Sequence, residues 1–257
     1  MNKDTIIDIY DKVGELRMVH FETVYLQHGI REGGDWRVYN PTHFMYVYSF
    51  FNTLYAIDWK SSIECGEIVS HPEGKYEKSK IGEMISFCTS DPLFRKKYKS
   101  IFLKIITNIF SEERIDRIID TIVPDTNPLG NIGNDEIYSL RSNVLSLFKG
   151  NFYRSTITEI MKFIFCIRNN IFHGTKTLNT MLEAKQQTKL LLYSYFIIAV
   201  NQMLFSYLDY LYEKTTGKKV EGYDYNHLIK ILENLKTSGV HMDVEEDDDD
   251  CDDEEEL

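Results

Sequence analysis

Apolar residues recur at three- and four-residue intervals along most of the chain, the period of an amphipathic helix and not of a strand. That pattern predicts a first helix from about Lys3 to His28, ended by the "REGGDWRVYNP" segment, and a second from roughly Thr42 to Lys60. The second, "THFMYVYSFFNTLYAIDWK", is apolar nearly all round and so belongs in the middle of the fold. The stretch "CGEIVSHPEGKYEK" has no helical period and leaves room for a short hairpin, and a helix follows near Ser79 to Cys88. Asp91-Pro92 combines a capping side chain with proline at the first helical position, opening a helix that should reach Phe110. Ser111, Glu112 and Glu113 open another, to about Ile122, before "VPDTNPLGNIGND", whose Pro, Gly and Asn mark the clearest loop. Gly150-Asn151 separates a helix over Asp135 to Lys149 from one that starts near Tyr153 and ends in "CIRNNIFHGTK". A long helix runs from Thr180 to Lys214, with Thr180 and Glu183 at capping-box spacing, and a last one lies near Tyr225 to Lys236. There is no internal repeat. The pattern predicts one all-α domain over about residues 1–240.

Two of these helices carry polar groups where apolar ones are expected. In "STITEIMKFIFCIRNNIFHG", residues Ile157, Met161, Ile164, Arg168 and Ile171 form one stripe, so Arg168 stands in line with core positions. A guanidinium there is costly unless acceptors meet it. Glu159, Lys162, Cys166, Asn169 and His173 form a neighbouring stripe, in which Asn169 and His173, four apart, are neighbours. Arg168 and His173 are five apart, about 140° round an ideal helix. They meet one target only if the helix loosens before His173 or a second chain supplies the other half. Gly174 suits a helix stop, and an Asn-rich, His-bearing helix end is also an ordinary C-terminal cap. On the second helix Ser49, Asn52 and Thr53 cluster on one side. Asn52 either makes an interhelical hydrogen bond or faces the same polar cleft as Arg168 and His173.

Composition narrows the class. With 43% hydrophobic and 13% aromatic residues, the chain can bury a large core. The net charge of −11 belongs to the end of the chain: "DVEEDDDDCDDEEEL", from Asp243, holds 12 acidic residues. Taking those from the 40 acids leaves 28 against 29 Lys and Arg, a body of about +1. A like-charge run with almost nothing apolar predicts a disordered acidic tail over 241–257. Cys65, Cys88, Cys166 and Cys251 are widely spaced, with no C-x-x-C pair and no signal peptide before them. They read as reduced thiols of a cytoplasmic protein. Residues 189–212, "KLLLYSYFIIAVNQMLFSYLDYLY", are the one stretch that invites a membrane reading. Asn201, Gln202 and Asp209 interrupt it, so a buried core helix is expected and no membrane partner.

"IRNNIFHGTK" resembles the R-x4-6-H motif of the HEPN superfamily, with Arg168, four residues, then His173. Asn169 after the arginine and Gly174 after the histidine also match. The aromatic "FMYVYSFFNTLY" helix, with Asn52, is similar to the preceding core helix of several HEPN groups. The resemblance covers residues 43–58 and 161–212. Residues 61–150 fall outside it and read as helices inserted into or packed on the core. It implies a HEPN-like helical bundle that works as a homodimer with the two motifs facing across the interface. It further implies a metal-independent endoribonuclease without cofactors, of the toxin–antitoxin or antiviral-defence kind, acting on RNA by 2′-OH attack to leave 2′,3′-cyclic phosphate ends. Arg168, Asn169 and His173 would be catalytic, with Asn52 supporting. Lys176 would contact a flanking phosphate, or is simply solvated. The alternative is a non-catalytic HEPN-type adaptor, for example the partner of a nucleotidyltransferase antitoxin or another regulatory protein.

Positive potential for RNA is concentrated in "FRKKYKS", where Arg95, Lys96, Lys97 and Lys99 are interleaved with aromatics. An exposed face of an amphipathic helix has the same look. The acidic tail is suited to mimic nucleic acid and compete for that surface. The other histidines, His20, His28, His43, His71, His227 and His241, show no metal-ligand spacing, so no metal is expected. No phosphate-binding glycine loop and no nucleophile elbow is present.

Overall fold

A computed structural model describes residues 2–31, 36–107, 134–172 and 181–220. Helices make up about 82% of these, with no strand among them, as the helical periodicity predicts. In chain order the helices among the described residues are α1 (Lys3–Lys12), α2 (Gly14–Arg31), α3 (Trp36–Ala56), α4 (Trp59–Cys65) and α5 (Glu77–Cys88). They continue with α6 (Pro92–Thr107), α7 (Asn134–Phe148), α8 (Arg154–Phe172) and α9 (Ala184–Thr216). The expected helices over 111–122 and 225–236 and the acidic tail lie outside the described residues.

Helix α9 is the axis of the fold. At 33 residues it is about 50 Å long. Its side chains from Leu190 to Phe205 are buried on every face, and α1, α2, α3, α5, α6 and α8 all pack on it. The window of this helix that is long and apolar enough to cross a membrane is 94% buried inside the protein. Its apolar surface is turned to the protein's own core. The Asn201 and Gln202 that interrupt the run are buried with it, and Gln202 donates to the Ser206 hydroxyl at 3.3 Å. Helix α3 is the second central element. Phe44, Val47, Tyr48, Phe51, Leu54 and Tyr55 are all but inaccessible, each worth about 1.5–3 kcal/mol on burial. Helices α5 and α6 place Met84, Ile85, Phe94, Tyr98 and Phe102 in the same core.

Several boundaries depart from the sequence reading, each for a local reason. The first predicted helix is two. Val13 separates α1 from α2, but hydrogen bonds Val13 N–H to Ile9 C=O and Arg17 N–H to Val13 C=O, both 3.0 Å, carry the ladder across the junction. Helix α3 starts at Trp36, six residues early, and takes Pro41 inside it. Proline there removes one backbone donor. The buried Asn40 side chain, reaching the Gln187 carbonyl at 3.5 Å, ties this end to α9. The same predicted helix does not reach Lys60. It stops at Ala56, and Asp58 caps the new α4 by accepting from Ser61 N–H at 3.1 Å. No hairpin forms in 65–78. Instead Ile57 and Ser70 make one antiparallel bridge, with Asp58 N–H to Val69 C=O at 2.8 Å. Of the predicted Thr180–Glu183 capping box, Thr180 lies outside the described residues, and Glu183 is itself the extended N-cap of α9.

Where capping chemistry was clear the structure follows it. Asp91 accepts from the backbone of Leu93 (2.8 Å) and Phe94 (3.3 Å), opening α6. Its other oxygen receives the Tyr210 hydroxyl and the Lys214 ammonium, each at 2.8 Å, which fastens α6 to α9. Gly150, at φ +89°, ends α7 in a Schellman turn. Its N–H reaches Leu147 C=O at 2.9 Å and the Asn151 N–H reaches Ser146 C=O at 3.0 Å. A buried ion pair joins Arg17 of α2 to Asp209 of α9, and the same guanidinium donates to Phe205 C=O (3.2 Å) and Tyr10 Oη (3.3 Å). Burial pushes the Asp209 carboxyl up and Arg17 pulls it back, so the pair is held together by geometry as much as by charge.

Candidate active site

Helix α8 carries the site. The stripe read from the sequence holds for Ile157, Met161 and Ile164, which are buried against the core. One turn further the stripe reaches Arg168, half-buried near the end of the described helix. Its Nη1 donates to Asn169 Oδ1 at 2.9 Å, and its guanidinium lies over the Tyr48 ring of α3, 5.6 Å from the centroid. A planar, delocalised cation against an aromatic face is a favourable pairing. Stack and hydrogen bond together set the direction of the remaining guanidinium donors.

Beneath Arg168 a chain of neutral side chains leads to Asn52. The Tyr55 hydroxyl donates to Asn52 Oδ1. The Tyr55 hydroxyl also lies 3.4 Å from the Tyr48 hydroxyl, a contact in which either oxygen can donate. Burial pushes the Tyr48 hydroxyl up to about 12, against the pull of the Tyr55 hydrogen bond and the Arg168 charge. Burial also lifts Tyr55 well above the ordinary tyrosine range, with Tyr48 and Glu77 adding to it. Both are therefore neutral phenols at physiological pH, fit to position a neighbour and not to act as bases.

The structure thus brings together three of the residues singled out in the sequence: Arg168, Asn169 and, at one remove through Tyr48 and Tyr55, Asn52. Asn52 is in the arginine's neighbourhood but does not touch it. Ser49 and Thr53 turn to the surface, where Thr53 Oγ1 donates to the Ser49 carbonyl. His173, Gly174 and Lys176 lie outside the described residues. Tyr48, Tyr55 and Glu77 were not picked out from the sequence. Tyr48, Asn52 and Tyr55 stand at i, i+4 and i+7, so a search for polar tips along Asn52's own helical face finds the two tyrosines.

The basic residues of α6 form a separate cluster. Arg95, Lys96 and Lys99 line a cavity of about 330 Å³ with the turn that joins α7 to α8, while Lys97 is exposed and does not line it. A smaller cavity, about 230 Å³, lies between α5, α7 and α8, where Glu159 and Lys162 pair at 3.0 Å beside Cys166. Among the described residues no group of three His, Cys, Asp or Glu side chains is placed to hold a metal ion. Cys65, Cys88 and Cys166 are free thiols. Among the described residues His20 and His43 are buried, and the side chain of His71 is covered. His20 sits between the rings of Phe50 and Phe205, and burial pushes it down to about 3, so it stays neutral. His71 lies beside Asp58, Lys75 and Glu83, and burial lowers it as well.

Compared with protein-family models, with curated proteins and with solved structures, the chain matches none.

Proposed function

We propose that the chain is a metal-independent endoribonuclease of the HEPN type, acting in the cytoplasm as a homodimer, as a toxin or an antiviral-defence effector. The observation that supports it most is Arg168: a half-buried guanidinium oriented by Asn169 and by the Tyr48 ring, in the helix that leads into His173. The guanidinium is aimed, by groups that are themselves fixed through Tyr55 and Asn52.

In the proposed reaction the ribose 2′-OH attacks the adjacent phosphorus and the 5′-oxygen of the next nucleotide leaves. His173 transfers the proton, since imidazole gains and loses one near neutral pH. The Arg168 fork binds the phosphate oxygens and stabilises the charge that builds on them, a contact that strengthens in the transition state. Asn169 holds the fork. A dimer in which two motifs face each other places Arg168 of one protomer near His173 of the other, so the 140° between them on one helix is no obstacle. End analysis of RNA cut in EDTA tests this: the reading requires 2′,3′-cyclic phosphate and 5′-OH ends. Fragments with 5′-phosphate ends would refute it.

A further inference from the structure

The cavity on α6 has the build of an anion site. Arg95, Lys96 and Lys99 stand at i, i+1 and i+4, so the first and last are neighbours on the helix surface, where like charges repel. Among the described residues no acidic side chain lines the cavity, and none of the three is in an ion pair. The opposite wall is the turn that joins α7 to α8. Gly150 holds the Schellman turn in a conformation open to glycine, and a Cβ there would sit 3.4 Å from Lys99 Nζ, so the missing side chain lets the ammonium close on the backbone. Phe152 packs edge-on against Phe102 of α6, with ring centres 5.2 Å apart, and fixes the turn to the helix. Tyr153, at the rim, is 60% exposed. Three cations with no carboxylate among them, the turn as a wall and an open aromatic ring together fit a phosphate flanked by a base.

We propose that this cavity grips a backbone phosphate of the RNA strand, with Tyr153 stacking on the adjoining base. The identity of the polyanion rests on the ribonuclease reading. What is added is a second hold on the strand, away from the cut. From Tyr153 to Arg168 the axis of α8 rises about 22 Å, which a stacked strand covers in roughly six nucleotides. The subsite therefore acts on RNAs longer than that and leaves shorter ones alone.

The test uses the full chain carrying His173→Ala and a labelled single-stranded RNA of about 12 nucleotides, with affinity read by fluorescence anisotropy as salt is varied. Replacing Arg95, Lys96 and Lys99 together by Gln should make the salt dependence shallower by about 2 in log–log slope, which removes roughly a 20-fold change in affinity between 50 and 200 mM salt. Lys97→Gln, on the same helix but off the cavity, should leave the slope within its error. An unchanged slope in the triple variant, or an equal loss from Lys97→Gln, overturns the subsite. Pyrophosphate titrated against the labelled RNA probes the cavity for a free anion, and a triple variant that loses pyrophosphate binding but keeps its hold on RNA also overturns the subsite. A wild type that cuts no RNA, beside a triple variant that binds RNA as weakly as expected, fails the ribonuclease reading and leaves the subsite standing. Normal cleavage by wild type and triple variant alike, on long RNA, fails the subsite alone.

Discussion

Replacing Arg168 by Lys separates a structural arginine from one that holds a phosphate. Lysine keeps the charge, and its ammonium can still donate to Asn169 Oδ1 and lie over the Tyr48 ring, so folding should lose under about 1 kcal/mol. At 2–4 °C per kcal/mol for a domain of this size, the melting temperature should fall by no more than about 4 °C. Removing the group altogether is the reference. Arg168→Ala forfeits a charge-assisted hydrogen bond at 2.9 Å, worth about 1.5–3 kcal/mol, and a partly exposed cation–π contact worth about 0.5–1. Because Asn169 is half-exposed and can turn to water, the net loss belongs at the low end, near 2 kcal/mol. Catalysis should respond in the opposite proportion. A point charge cannot reproduce a planar fork on two phosphate oxygens, so Arg168→Lys should cost about 100- to 1000-fold in turnover, as loss of an oxyanion donor does elsewhere. Thermal melts paired with initial rates on end-labelled RNA measure both quantities on one preparation. A lysine variant within threefold of wild type in rate would show that the fork is not used.

Three further outcomes follow from the packing and the charge pattern. Arg17→Ala leaves the Asp209 carboxylate half-buried without its partner and should cost about 3–5 kcal/mol, with Arg17→Ala/Asp209→Asn recovering part of it; in urea titrations, a loss under about 1 kcal/mol would contradict the buried-pair account. The Lys214 and Tyr210 hydrogen bonds hold the Asp91 carboxyl well below the usual carboxylate range, so its contribution is present above about pH 4 and fades as pH falls through the folded-state value. Asp91→Asn keeps the helix cap, so its deficit in stability at pH 7 should shrink towards pH 3, and a deficit equal at both would exclude the linkage. A chain ended after Met242 should bind RNA more tightly at low salt if the 12 acidic residues compete for the α6 cations; unchanged affinity would make the tail a solubility or docking device.

The legible parts of this fold are those decided locally. The all-round apolar run of α9 and the aromatic run of α3 announced the two central helices, because a helix without a polar face must be buried. Asp91-Pro92 and Gly150 announced their helix ends because each satisfies backbone groups with chemistry a few residues away. The departures come where a longer-range contact outweighs a local signal. Pro41 reads as a stop, yet α3 runs through it while Asn40 is anchored on α9. Thr180 and Glu183 read as a cap, yet the helix begins one residue after Glu183. The site divides in the same way. Arg168 is conspicuous because it breaks an apolar stripe, a feature of one helix. That Tyr48 underlies it, and that Gly150 to Tyr153 close the wall opposite Lys99, depend on helices far apart in sequence and emerge only from their packing.

The central claim is that the Arg168–His173 pair cuts RNA. Its most direct test is cleavage of end-labelled tRNA and total RNA by the pure protein in EDTA, beside His173→Ala. The account predicts EDTA-resistant cleavage by the wild type and none by the variant at equal fold stability. Cleavage that survives His173→Ala would contradict it.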